Sequence, residues 1–354
     1  MSDHIQHTNG FARFFRIIKK WFYFQFKLTN SHTIKLYDGF GNEKQCRIHG
    51  HAFSLLPLTR RNYRKGFLFN SLALIRLFMV KPLPNALVRL EWEQTTYETE
   101  TQTDGFFKFE WNLSEAKPPG QYRVTVKLIN RENGFVKSTS EAQVFIPFPN
   151  QYHMISDIDD TFLISYSAHL LKRLYVLLTK NAHSRKPFDG VVRHYSLLKT
   201  AGTMADFPNP FFYVSSSEWN LYDYIKTFCL KNGMPKGTFH LNQIKTFSRL
   251  LKTGQNNHDG KFFRIVRIVE TYPHQKFILL GDDSQQDPVI YSSIVSHFEE
   301  KIHCVYIRAV GKKKKPETER ILADIQLARV HCCYFLHSEE AIKHSVRIGL
   351  VEEA

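Results

Sequence analysis

Between Leu83 and Ile146 apolar residues recur at every second position. Val88, Leu90 and Trp92 form one such set, Phe107 and Phe109 a second after Asp104-Gly105, and Tyr122, Val124, Val126 and Leu128 a third beyond Pro118-Pro119-Gly120. A period of two presents one apolar face per strand, and Asp-Gly and Pro-Gly punctuate hairpins, so this stretch predicts an antiparallel β-sandwich. The pattern changes after Pro147-Phe148-Pro149-Asn150. Short apolar runs near 153–157, 210–215, 238–241, 276–281 and 302–307 alternate with stretches of helical period. Continuous runs of that length read as strands buried on both faces, and right-handed crossovers between them predict a doubly wound parallel α/β sheet. The chain thus divides at the linker into a β-sandwich-like domain, 31–149, and an α/β domain, 150–354.

Three further segments carry helical periodicity. Gly10–Lys20 sets Phe11, Phe14, Phe15 and Ile18 against Arg13, Arg16 and Lys20, and defines a basic amphipathic segment within residues 1–30. A second basic helical stretch, near 60–80, follows Arg60-Arg61 with Leu68, Leu72, Ile75, Leu77 and Phe78. A third, Ala168–Thr179, lies in a small cap insertion expected near 162–206, where it serves as a core helix or as an apolar lip.

The chain has 354 residues, 43% of them apolar, enough for two domains with sizeable cores. Its net charge of +15 is concentrated at one end, because residues 1–89 hold 15 Lys/Arg against 3 Asp/Glu. A basic helix with an aromatic face suits an anionic membrane surface, the alternative being a helix packed on its own domain. Nucleic acid is the rival partner, and no motif for it is visible. The five cysteines show no metal-ligand spacing and suit a reducing compartment. With no long uncharged apolar stretch, the expectation is a cytoplasmic protein, peripheral at membranes. Lys312–Lys315 reads as a solvated loop before Pro316.

The candidate chemistry lies in the α/β half. Asp157 and Asp159 stand two apart at the end of an apolar run, with Asp160 and Thr161 closing the turn. A carboxylate can attack phosphorus, and a second acid beside it can protonate the leaving alkoxide and deprotonate water. Taken alone, such a cluster is equally a solvated turn or a helix cap. A second acidic loop, Gly281-Asp282-Asp283-Ser-Gln-Gln-Asp287, follows another buried run. Two acid-tipped strands deliver several carboxylates to one rim, a density of like charge that calls for a cation, and oxygen-only donors suit Mg²⁺. Between them, Ser215, Ser216 and Ser217 offer hydroxyls and amides to phosphoryl oxygens, or else cap a helix. Lys261 opens a helix after a polar loop.

The order acid pair, hydroxyl, lysine, acid pair resembles the four motifs of the haloacid-dehalogenase-like superfamily. Residues 152–161, 185–190, 210–223 and 277–291 resemble more narrowly the phosphatidate phosphatase family typified by the fungal actin-patch protein, and Tyr37-Asp-Gly39-Phe-Gly41-Asn42 does so loosely. The resemblance implies Asp157 as nucleophile, Asp159 as general acid/base, and Thr161 steadying the loop. It gives Ser215 and Lys261 the phosphoryl group, and Mg²⁺ to Asp157, the Asp159 carbonyl, Asp282 and Asp287. Two positions depart from the pattern: Glu218 stands where Pro is usual and Asp283 where Ser is common. The expected function is Mg²⁺-dependent hydrolysis of phosphatidate, a phospholipid, to diacylglycerol. The alternatives are the same chemistry on a soluble or protein phosphoester, and a non-catalytic membrane-binding module.

Overall fold

The structure is a computed structural model that describes residues 28–29, 32–57, 76–149, 152–162, 187–246, 258–310 and 314–352. The helices expected at Gly10–Lys20 and Ala168–Thr179 lie outside the described residues, as do residues 58–75 of the second basic stretch. Among the described residues no helix is long and apolar enough to cross a membrane.

The first half forms a ten-stranded sheet from β1 (Leu28–Thr29), β2 (Thr33–Leu36), β3 (Gly39–Gly41), β4 (Gln45–Pro57), β5 (Lys81–Pro82), β6 (Leu87–Trp92), β7 (Thr95–Glu100), β8 (Phe106–Asn112), β9 (Gly120–Ile129) and β10 (Val136–Ile146). Its path runs β1-β4-β3-β10-β9-β6-β7, with β2, β5 and β8 also paired to β4. The pairs are antiparallel except β3 with β10. The period-two sets meet as expected: Val88, Leu90, Phe107, Phe109, Val124, Val126 and Leu128 share one core with Cys46 and Ile48. Strand β4 escapes the alternation because its buried positions include Gly50 and His51, which do not read as apolar.

The second half is a six-stranded sheet of β11 (His153–Ser156), β12 (Phe211–Glu218), β13 (Gly237–Asn242), β14 (Phe277–Asp282), β15 (Ile302–Arg308) and β16 (His331–Phe335), every pair parallel. Its helices are α1 (Val191–Lys199), α2 (Tyr222–Lys231), α3 (His258–Thr271), α4 (Asp287–His297), α5 (Lys315–Leu327) and α6 (Ser338–Arg347). Successive strand residues feed opposite layers. Met154, Phe211, Tyr213, Ile278 and Leu280 join the core of α1, α2 and α6, whereas Ile155, Phe212, Val214 and Leu279 join that of α3, α4 and α5. Two-sided burial is why these strands read as unbroken apolar runs. In the described part of the stretch expected as a cap, 187–206, Val191, Tyr195 and Leu198 of α1 are core residues. The lysine run is not wholly loop either, since Lys315 begins α5.

The two sheets share cores through Tyr37–Asn42. Tyr37 stacks on Trp219 with ring centroids 4.0 Å apart, and Phe40 enters the second sheet's core 5.4 Å from Phe212 and 5.2 Å from His240. Lys35–Asp223 (2.7 Å) and Lys226–Asp38 (2.8 Å) flank this contact, and Asn42 donates to the Thr271 carbonyl at 2.7 Å. Gly39 is required by close approach, because a Cβ there would stand 2.3 Å from the Arg47 carbonyl oxygen. Phe40→Ala should empty this position and cost about 3–5 kcal/mol, read as a lower denaturation midpoint in urea.

Candidate active site

Across the parallel sheet the strands lie in the order β13-β12-β11-β14-β15-β16, so the direction of winding reverses between β11 and β14. Ligands of open α/β sheets bind outside the carboxyl ends of the strands at such a reversal. Asp157 leaves β11 there, its N–H donating to the Leu280 carbonyl at 2.8 Å, and Asp282 ends β14 beside it. Strand β11 stops at Ser156, so the rule placing i and i+2 on one strand face does not govern the acid pair. The chain turns instead, with Asp160 at φ 61°, a left-handed conformation that Asp tolerates better than most residues.

The turn separates the partners of the two acids. Asp157 Oδ1 lies 2.8 Å from Lys261 Nζ, and the same ammonium bonds Asp287 Oδ1. Asp159 Oδ2 accepts Ser215 Oγ at 3.0 Å and Ser217 Oγ at 2.5 Å. Thr161 Oγ1 donates to Asp282 Oδ2 at 3.1 Å and reaches Asp157 Oδ2 at 3.4 Å. Asp287 opens α4 and accepts the Asp282 N–H at 3.3 Å. Gly281 makes this possible, since a Cβ on it would stand 2.6 Å from Asp287 Oδ2.

Carboxylate oxygens of Asp157, Asp282 and Asp287 lie within 4.8 Å of one another, and all three residues are buried. Burial pushes the Asp157 carboxyl well above its usual range; Lys261 opposes that shift, while Asp287, Asp282 and Asp159 add to it. Asp282 is pushed up to about 7 by burial and by Asp287. Burial works to lower Lys261, but the paired carboxylates outweigh it and raise it. The site is therefore short of positive charge, and its oxygen-only donors fit a hard divalent cation such as Mg²⁺.

The structure brings together Asp157, Asp159, Thr161, Ser215, Lys261, Asp282 and Asp287. It does not bring the Ser216 side chain: along β12, residues 215 and 217 share a face and 216 points the other way, so Ser217 is the second hydroxyl. Nor does Ser217 cap a helix, since its hydroxyl is held by Asp159. Sequence reasoning also missed two cations. Arg264, one turn beyond Lys261 on α3, donates to the Ser215 carbonyl at 3.2 Å. Arg308, buried at the end of β15, donates from Nε to the Thr161 carbonyl at 2.9 Å and from Nη2 to Ser338 Oγ at 2.9 Å. An arginine closing an otherwise apolar run was the available signal. Both departures from the resemblance have partners: Glu218 pairs with Lys245 at 2.6 Å, and Asp283 accepts the Tyr334 hydroxyl at 2.6 Å.

The family model of the phosphatidate phosphatase APP1 catalytic domain matches residues 152–309. A stretch of 159 residues, 44% of this chain, is 31% identical to phosphatidate phosphatase APP1 of Saccharomyces cerevisiae and spans 25% of that protein's length. Among solved structures, a carbohydrate acetylesterase from Xanthomonas citri is 9% identical with a TM-score of 0.28, over 85% of this chain and 66% of that one. A calcium-binding mutant of Bacteroides uniformis β-glucuronidase 2 is 10% identical with a TM-score of 0.27, over 91% and 39%. Overlaps that poor carry no argument about fold or chemistry. The sequence match does, because every acid, hydroxyl and cation that meets at the sheet reversal falls inside it. Over residues 152–309 the chain is similar to the catalytic domain of phosphatidate phosphatase APP1.

Proposed function

We propose that the protein is a Mg²⁺-dependent phosphatidate phosphatase with a haloacid-dehalogenase-like catalytic domain over 150–354. The observation that carries the reading is the buried trio Asp157, Asp282 and Asp287 with Lys261 between two of its members. Asp157 attacks phosphorus, the ester oxygen leaves as diacylglycerol, and Asp159 supplies its proton. Asp159 then takes a proton from water, which displaces phosphate from the phosphorylated Asp157. Two serine hydroxyls hold Asp159 in place for both transfers. Lys261 balances the charge of the transferring group, whose loose transition state spreads charge over three oxygens. Mg²⁺ held by Asp157, the Asp159 carbonyl, Asp282 and Asp287 supplies further charge neutralisation.

The 1–30 segment, rich in basic and aromatic residues, supports docking to an anionic membrane from the cytoplasmic side, with 31–149 as a β-rich domain that packs on the catalytic one through Tyr37–Asn42. Purified full-length protein with Mg²⁺ should release phosphate from phosphatidate in vesicles faster than from lysophosphatidate, sugar phosphates or nucleotides. Excess chelator should stop release reversibly, and Ca²⁺ should restore it poorly because its looser shell misplaces the reactants. Full activity in chelator would sink the metal assignment; preference for a soluble ester would sink the lipid assignment and leave the phosphatase.

A further inference from the structure

Asp283 follows Asp282 in the chain and is held by different partners. Its Oδ1 accepts the Val310 N–H at 2.7 Å, its Oδ2 accepts the Tyr334 hydroxyl at 2.6 Å, and its own N–H donates to the Arg308 carbonyl at 3.1 Å. Two residues further on, Lys314 Nζ donates to the Gln285 carbonyl at 2.6 Å and reaches the Ser284 carbonyl at 3.4 Å. The turn joining Asp282 to Asp287 is thereby tied to Val310, Lys314 and Tyr334. None of these three lies within the 152–309 family match.

The consequence is geometric. Asp282 and Asp287 are five residues apart, and the backbone between them sets where their oxygens stand relative to Asp157. Within the turn the Ser284 N–H donates to Asp282 Oδ1 at 2.6 Å and the Asp282 N–H to Asp287 Oδ2 at 3.3 Å, and the ties to Val310, Lys314 and Tyr334 anchor this polar turn to the rest of the sheet. Tyr334 is suited to the task, since it belongs to β16, which is locked in parallel register to β15 with Ile307 opposite Tyr334. Burial and the Asp283 charge raise its hydroxyl above the usual tyrosine range, so it remains a donor throughout the working pH span.

We infer that Tyr334 is a positioning residue for the metal-binding acids, acting through Asp283, and that the working unit extends through β16. The inference rests on the metal reading above. Partners in the shell behind a metal's ligands commonly change its affinity by about 10–100-fold when removed.

The test is Mn²⁺ binding to the purified full chain without substrate, followed by electron paramagnetic resonance, with thermal unfolding measured in parallel. Tyr334→Phe should raise the Mn²⁺ dissociation constant about tenfold with little change in Tm. Asp283→Ser should weaken binding to a similar extent, and adding Tyr334→Phe to it should bring no further loss, because the acceptor is already gone. Additive losses, or a lower Tm with unchanged Mn²⁺ affinity, would overturn the inference. Should Tyr334→Phe not fold, Asp283→Asn and Asp283→Ser decide the matter: Asn keeps an acceptor oxygen and should bind Mn²⁺ the tighter, and equal affinities overturn it. A wild-type chain that binds no Mn²⁺ removes the metal reading itself, an outcome that the wild-type measurement alone reveals.

Discussion

Asp157→Asn should reduce turnover to below detection while leaving the protein at least as resistant to heat as the wild type. The first half follows from the chemistry, because an amide cannot form the acyl phosphate, and trapping by fluoroberyllate should vanish with it. The second follows from the electrostatics. Asp157 is buried among Asp282, Asp287 and Asp159, and its charge is costly there despite Lys261. The amide has nearly the same shape without the repulsion, and Lys261 keeps Asp287. Asp159→Asn should behave differently, losing about 10²–10⁴-fold in rate while still binding substrate. The measurements are phosphate release under saturating Mg²⁺ and a calorimetric scan. Substantial activity in Asp157→Asn would show that another group attacks phosphorus.

Lys261→Met should cost both activity and stability. Removing one member of a buried ion cluster and leaving the others unpaired typically costs about 3–5 kcal/mol, and Lys261 is almost fully enclosed. The loss should depend on pH in a definite sense. Asp282, pushed up to about 7, and Asp157, also raised, bind protons more readily folded than unfolded. Below about pH 4 both states hold these protons; as pH rises from there through 7 the folded state must give them up, and stability falls. Without the ammonium that decline should steepen. Urea unfolding of the metal-free variant should accordingly show near wild-type stability at pH 5 and a large deficit at pH 8. A deficit of equal size at both pH values would mean that the lysine acts through packing.

The parallel strands were legible because burial on both faces writes an uninterrupted apolar run, and the acids because each follows such a run. Strand β16 was not legible. His331-Cys332-Cys333-Tyr334-Phe335 lies at the sheet edge, exposed or half-buried over most of its length, and no contrast marks it. Ser217 was not separable from Ser216, because three consecutive serines look alike until the face of the strand is known. Arg308 was missed for a related reason: its value lies in carbonyl oxygens of Thr161 and Leu336, far apart in sequence, and backbone acceptors leave no trace in composition.

The segment Tyr37–Asn42 also fixes a timetable. Phe40 leaves the ribosome about 170 residues ahead of Phe212, against which it packs, and further still ahead of Tyr272. At roughly 5–20 residues per second, the first sheet waits on the order of ten seconds or more with two large aromatic side chains uncovered. The nascent chain is therefore most prone to stick to its neighbours before β12 has been made, and slowing synthesis between residues 150 and 210 should lower the soluble yield more than slowing it after 300.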